Sequence, residues 1–354
     1  MKTQSLYQAR VSSQRIRLSL VFVAVIFLPL LLMRPGNAYA LSCGDTIFGP
    51  TTLHMNLGPC PGVALTVGNN NITLHLNGYS IIGLPGFEGV NVGGTTNVTI
   101  KGPGTITGFT YGVSVFDANG NRAPSSGTKV SHVHFVANSS IGVVFVGGTG
   151  NQILNNTFIA NPCSAIKVDA VSNARIVGNA ITGSNAPTTG NNCGFQQYPT
   201  GGGLGITVVS TSPGAIVKAN SVNNSTYGIY VDSGASPLTV TGNDFSGNTQ
   251  DGIDVLSQAT IGSNQADGNG GNGIMLAFAS GSLVRSNTAN SNGVNGIGLG
   301  NLLGFTSGNN NTIKSNRALG NATDLFWDGV GTGNSFPGNI CDTESGSTVG
   351  FPCH

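Results

Sequence analysis

The sequence predicts an all-β solenoid, a chain wound into stacked coils, and three observations carry that prediction. The first is a recurring tetrad of Gly, Ile or Val, any residue, then Val, Leu or Phe. It appears as "GVNV" from Gly89, "GVSV" from Gly112, "GVVF" from Gly142, "GITV" from Gly205, "GIYV" from Gly228, "GIDV" from Gly252, "GIML" from Gly273 and "GIGL" from Gly296. Where no insertion intervenes, the spacing is 21 to 24 residues. The second is an asparagine that follows a short β-like run once per unit: Asn156, Asn179, Asn220, Asn243, Asn264, Asn287, Asn316 and Asn339. The third is composition, since 55 Gly and only 8% charged residues disfavour helices and favour short strands joined by tight turns.

A fixed period of this length marks units that bury their apolar side only by stacking on their neighbours. Equivalent strands of successive coils pair in parallel about 4.8 Å apart, so about ten coils make a rod of roughly 50 Å. Alternation along each strand sends the Ile and Val of the tetrad inward. Asparagines at one position of every coil can bond the amides above and below them.

The ends have their own logic. Lys2, Arg10, Arg15 and Arg17 precede the apolar run "LSLVFVAVIFLPLLLM" and then "AYA" at Ala38 to Ala40. That order is a secretory signal, and the run is short for a membrane span. Residues 1–40 are therefore expected to be removed near Ala40, leaving a secreted or periplasmic chain with no integral membrane span. A lipoprotein reading of "ALSC" would instead lipidate Cys43 and leave Cys60 unpaired. Residues 41–62 lack the tetrad and are expected to be an N-terminal cap, 63–333 the coils, and 334–354 a C-terminal coil and cap, because open strand edges must be covered. All six cysteines lie beyond the signal, in an oxidising compartment. Their placement favours local pairs, Cys43–Cys60, Cys163–Cys193 and Cys341–Cys353. None forms a C-x-x-C pair and the histidines are scattered, which argues against zinc. Beyond residue 40 the chain has nine Lys/Arg against 13 Asp/Glu, a mildly acidic balance that argues against nucleic acid or anionic membrane as partner.

The stretch "TLHLNGYSIIG" (Thr73 to Gly83) and the Asn/Gly-punctuated coils resemble the secreted parallel β-helix proteins of the pectin-lyase-like superfamily, across essentially the whole chain after the signal. The resemblance implies a right-handed parallel β-helix, a monomer, and an extended, acidic polysaccharide as partner. The general hand of parallel crossovers agrees. The "DPHD"-like stretch of alginate epimerases and the Asn-Thr-Asp and Gly-His-Gly signatures of polygalacturonases are missing.

Candidate site residues follow from the strand alternation. The second and fourth residues after each tetrad glycine face outward, and the polar ones cluster in the middle coils: Lys167, Asp169, Thr207, Tyr230, Asp232 and Asp254. They lie beside the longest insertion, Gly183 to Gly202, which Cys163–Cys193 would pin to the rod and which contains Gln196, Gln197 and Tyr198. Long pinned loops on rigid scaffolds commonly carry function. Asp232 and Asp254 are spaced as the acid and base of an inverting glycoside hydrolase would be. Lys167 and Tyr230 fit a lyase or C5-epimerase, in which a cation neutralises the uronate carboxylate and a tyrosine supplies the proton. Asp169, Gln196, Gln197, Tyr198 and Thr207 would then contact substrate. Calcium is the one cofactor the residues suggest, held by Asp169 and Asp232. In "GNDFSGNTQDGIDV" (242–255), Asp244 and Asp251 fall in turns and only Asp254 projects from a strand. The expected function is engagement of polysaccharide on the lateral face by a lyase, epimerase or hydrolase, with a non-catalytic glycan-binding or structural envelope protein as the alternative.

Overall fold

The structure, a computed structural model, describes residues 41–115, 121, 123–185, 193, 202–300, 307–346 and 353. As far as Ser221–Asn223 the coils run through three strands that belong in turn to three parallel sheets, and beyond it they run through two. The large sheet has 13 strands, from Asp45–Ile47 to Glu344–Gly346. The middle sheet has 11, from Thr51–Thr52 to Thr312–Lys314, and the small sheet has seven, from Leu57–Cys60 to Ser221–Asn223. Beyond Ser221 the small sheet thins to single bridges, Ser221 to Asp244 to Gln265 to Thr288 to Arg317. The described residues contain no helix, and so none long and apolar enough to cross a membrane.

The fold is the right-handed parallel β-helix, with more coils than the about ten expected. The difference lies at the ends. Asp45–Ile47 already pairs in register with Leu65–Val67, and Glu344–Gly346 pairs with Leu325, Phe326 and Trp327. The segment expected to be the N-terminal cap thus pairs into the sheet without a tetrad glycine, and the coil expected within 334–354 contributes Glu344–Gly346. All three disulfides form as the spacing suggested: Cys43–Cys60, Cys163–Cys193 and Cys341–Cys353.

The interior is a set of columns. Ile206, Ile229, Ile253, Ile274 and Ile297 stack in register down the large sheet, all buried. Phe135 and Phe158 stack with ring centroids 4.9 Å apart. The glycine that opens the tetrad is required there: a Cβ on Gly142 would lie 2.6 Å from the Phe158 ring and 2.7 Å from the Ala165 carbonyl.

The eight asparagines form one continuous buried ladder. The backbone N–H and the side-chain amide of Asn156 both donate to Oδ1 of Asn179, and the same double contact repeats through Asn220, Asn243, Asn264, Asn287, Asn316 and Asn339. The left-handed residue of the corner is the one just before the ladder asparagine, with φ 54° at Asn155, 53° at Ala219 and 55° at Ser263. That bend swings the asparagine inward, so its amide meets its neighbours rather than water. A second ladder runs Asn248, Asn269, Asn292, Asn321 and ends on Asp324. Asp324 accepts from the N–H and side-chain amide of Asn321 and from the N–H groups of Asp342 and Thr343. Burial alone would raise its pKa, but these donors outweigh burial and the net shift is downward.

Candidate functional site

The expected site residues share the outer side of the large sheet. Pairing places Lys167 opposite Thr207, Thr207 opposite Tyr230, and Tyr230 opposite Asp254. Four residues from separate coils therefore stand in one column, each about 4.8 Å from the next. Asp169 stands in the neighbouring column, opposite Val146 and Val209. Its carboxylate lies 3.5 Å from the Lys167 ammonium.

The outer side was expected to be a wetted polar face, and here the structure corrects the sequence. Tyr230 is 6% exposed, Asp254 3% and Thr207 fully buried. Leu204, Tyr230, Leu256 and Ala277 make a second apolar cluster outside the barrel, with Val209 and Tyr227 packed against it. The Thr207 hydroxyl is engaged with Oγ of Ser164 at 3.0 Å. Outward alternation was correct. It does not make a side chain wet when its neighbours in adjacent coils are large and apolar.

Asp254 is the residue this environment changes most. Its Oδ1 is buried with no hydrogen-bond partner among the described residues. Burial first, and the charge of Asp251 second, hold its pKa well above the ordinary carboxylate range. Asp251, expected to be an ordinary bend residue, is buried as well. Burial raises its pKa to about 6, against hydrogen bonds from the backbone and side chain of Asn272 that lower it. Tyr227, one position before its own tetrad glycine, is pushed upward by burial and then by both aspartates. Asp251 precedes Gly252 as Asn272 precedes Gly273 and Asn295 precedes Gly296, so a third ladder was written in the sequence. Asn272 donates to Asp251 and Asn295 donates to Asn272. Farther toward the N-terminus, Glu88 lies opposite Tyr111 on the same sheet, and burial raises its pKa despite contacts with Ser114 and Asn91.

Asp232 lies on the coil of Tyr230, just past its strand. The strand ends at Val231, and the Asp232 carboxylate accepts from the backbone N–H of Ser233 at 2.7 Å. Of the two aspartates suggested for calcium, Asp169 faces Lys167 and Asp232 accepts from its own turn, and the coil of Val209 lies between theirs. The one cluster of metal-type ligands among the described residues is Cys341, Glu344 and Cys353, and its two cysteines are joined as a disulfide. Gln196, Gln197 and Tyr198 lie outside the described residues.

Residues 202–342 match the family model described as right handed beta helix region. No curated protein matches the chain in sequence. Among solved structures, the Dettilon tailspike protein superposes with a TM-score of 0.53 at 20% identity, over 85% of this chain and 59% of that one. The periplasmic alginate epimerase AlgG gives 0.48 at 12% identity, over 76% and 77% of the two chains. The A-module of Azotobacter vinelandii mannuronan C-5 epimerase AlgE6 gives 0.48 at 12% identity, over 89% and 93%. At such identities the likeness is one of fold.

Proposed function

We propose that this is an exported protein that engages an extended polysaccharide along its lateral face, with an acid–base reaction centre on the middle coils of the large sheet. The observation that carries the proposal is the single column Lys167, Thr207, Tyr230, Asp254. Along the rod axis the column carries a cation, a hydroxyl, a phenol and a carboxyl in turn, the last three beneath an apolar cover. Export is supported by the three disulfides, which persist outside the reducing cytosol. The pectin-lyase-like resemblance supports the choice of polysaccharide.

Hydrolysis suits the two aspartates best. Asp254, whose pKa burial pushes well above the ordinary carboxylate range, is the group to give a proton to the glycosidic oxygen as the bond to the anomeric carbon breaks. Asp251, ionised above about 6, can take a proton from the water that attacks that carbon. Carboxyls pushed apart in proton affinity are the usual division between acid and base. A glycan reaching Asp254 must displace part of the cover formed by Leu204, Leu256 and Ala277. The Lys167–Asp169 pair and Tyr230 supply the groups a lyase or epimerase would use instead.

The burial of Thr207, Tyr230 and Asp254 favours a second reading, a non-catalytic glycan-binding rod in which the outer cluster seals the sheet. One experiment separates the two. The folded protein and its Asp254→Asn variant are incubated with uronans and neutral glycans, with and without calcium. Reducing ends, unsaturated product and, by NMR, epimerised residues are followed. Turnover that is lost in the variant supports the reaction centre. Binding without turnover on any glycan would sink it and leave the second reading standing.

A further inference from the structure

Charge is segregated between the sheets. The strands of the middle sheet carry Lys101, Lys129, Arg175, Lys218, Arg285 and Lys314 and not one Asp or Glu. The strands of the large sheet carry Asp45, Glu88, Asp169, Asp254, Asp324 and Glu344 against a single cation, Lys167. In a chain that is acidic beyond residue 40, this leaves one side of the rod wholly cationic. Among the described residues none of the six middle-sheet cations makes a side-chain hydrogen bond or an ion pair, and all but the half-buried Lys129 are exposed. Structural neutralisation therefore does not account for them.

Register sharpens the pattern. Lys218, Thr241, Gly262, Arg285 and Lys314 occupy one column on five consecutive coils. From Lys218 to Lys314 the column spans four strand spacings, about 19 Å along the rod axis. Directly beside it, where each coil turns the corner, runs a surface groove of about 560 Å³. Ser221, Ser263, Gln265, Ser286 and Thr288 line it, over a floor of ladder asparagines. Asp244 is the one acid on its wall, and its Oδ1 accepts from the backbone N–H of Ser246.

We propose that this groove and its cation column are a binding track for an acidic polysaccharide, with sugar hydroxyls in the groove and carboxylates on Lys218, Arg285 and Lys314. The inference rests on the reading of the chain as a polysaccharide-engaging protein and adds a second face, with the residues that would meet the ligand's charge. Charge complementarity selects a polyanion. The lining selects among polyanions: hydroxyls and amides match sugar, while no aromatic side chain offers the stacking platform a single-stranded nucleic acid uses. The cations are also too sparse to track the closely spaced phosphates of a duplex. A peptide would want an apolar anchor, and the groove has none.

The test is binding of polygalacturonate by the full chain after export, with dextran and duplex DNA as alternative ligands. Lys218→Gln/Arg285→Gln/Lys314→Gln is compared with the wild type, and His134→Gln on the small sheet serves as the control. The three cations are exposed, so circular dichroism and melting temperature should be unchanged. The triple variant should bind polygalacturonate about tenfold or more weakly, because exposed charges each contribute a modest factor. Wild-type affinity should also fall steeply between about 0.02 M and about 0.5 M salt, as the Debye length shrinks. His134→Gln should bind as the wild type does, and dextran should not bind. Unchanged affinity in the triple variant, with loss in Asp254→Asn, would overturn the track while keeping glycan engagement on the large sheet. Tighter binding of DNA through the same three residues would overturn the occupant. Failure of every glycan to bind either protein would remove the underlying function as well.

Discussion

Two buried aspartates on the same sheet, Asp254 in the middle coils and Asp324 near the C-terminal end, are pushed in opposite directions. Asp324 is 1% exposed and Asp254 3%, so both are shielded from water, with Asp254 lying deeper in the protein. Their partners differ as well. Four N–H donors converge on Asp324 and hold its charge. Asp254 has an orphaned oxygen and another carboxyl for company. One aspartate is a fastener, and the other is the proton donor of the proposed function.

The largest effect should come from removing the fastener. Asp324→Ala leaves four donors without an acceptor and should cost about 3 to 5 kcal/mol, read by urea denaturation. A loss under about 1 kcal/mol would mean that water replaces the carboxylate and that the contrast is illusory. Because its folded pKa is depressed, Asp324 contributes stability that is present above the unfolded value of 3.8 and is lost as pH falls through the folded value.

The opposite sign is expected at Asp254. Its folded pKa is raised, so stability is full below 3.8 and declines as pH rises toward the folded value. Asp254→Asn keeps the volume and removes the titration. It should raise the melting temperature by about 2 to 4 °C near neutral pH and leave it unchanged in acid. A variant less stable than the wild type at neutral pH would show that the charged form is favoured after all.

Asp251 should give a smaller change of the same sign. Wild-type stability should decline between 3.8 and about 6 as this group ionises, and Asp251→Asn should flatten that limb. If hydrolysis is the reaction, the same group sets the acid limb of the rate profile. Activity should rise through about 6 and fall at higher pH when Asp254 ionises. A rate that is flat across that interval would remove Asp251 as the base.

Much of this was legible in the sequence because repetition multiplies a weak local signal. Eight asparagines at one position, each individually unremarked in a loop-rich chain, specify a ladder together. The tetrad fixed which residues point inward, and so which column Lys167, Thr207, Tyr230 and Asp254 would share. What stayed hidden depends on neighbours across coils. Whether an outward residue is wet is decided by partners such as Leu204 and Leu256, which lie 50 and two residues from Asp254. Asp251 was misjudged for a related reason: beside Gly252 it looks like a turn residue, and only alignment with Asn272 and Asn295 shows a ladder. The first coil escaped notice because pairing there needs no tetrad. The charge segregation was present in the residue list, but it becomes visible only once strands are assigned to sheets.

The asparagine ladder has one more consequence, for the length of the molecule. An asparagine passes on what it receives, accepting at its oxygen and donating from its nitrogen, so a run of them can be lengthened by a coil at any point without disturbing either neighbour. An ionised aspartate accepts and hands nothing on. Asp324 at one end of its run and Asp251 at the head of another therefore act as punctuation. A duplicated coil inserted between Asn264 and Asn287 would be absorbed into the rod, whereas one added beyond Asp324 would find its donors already spoken for.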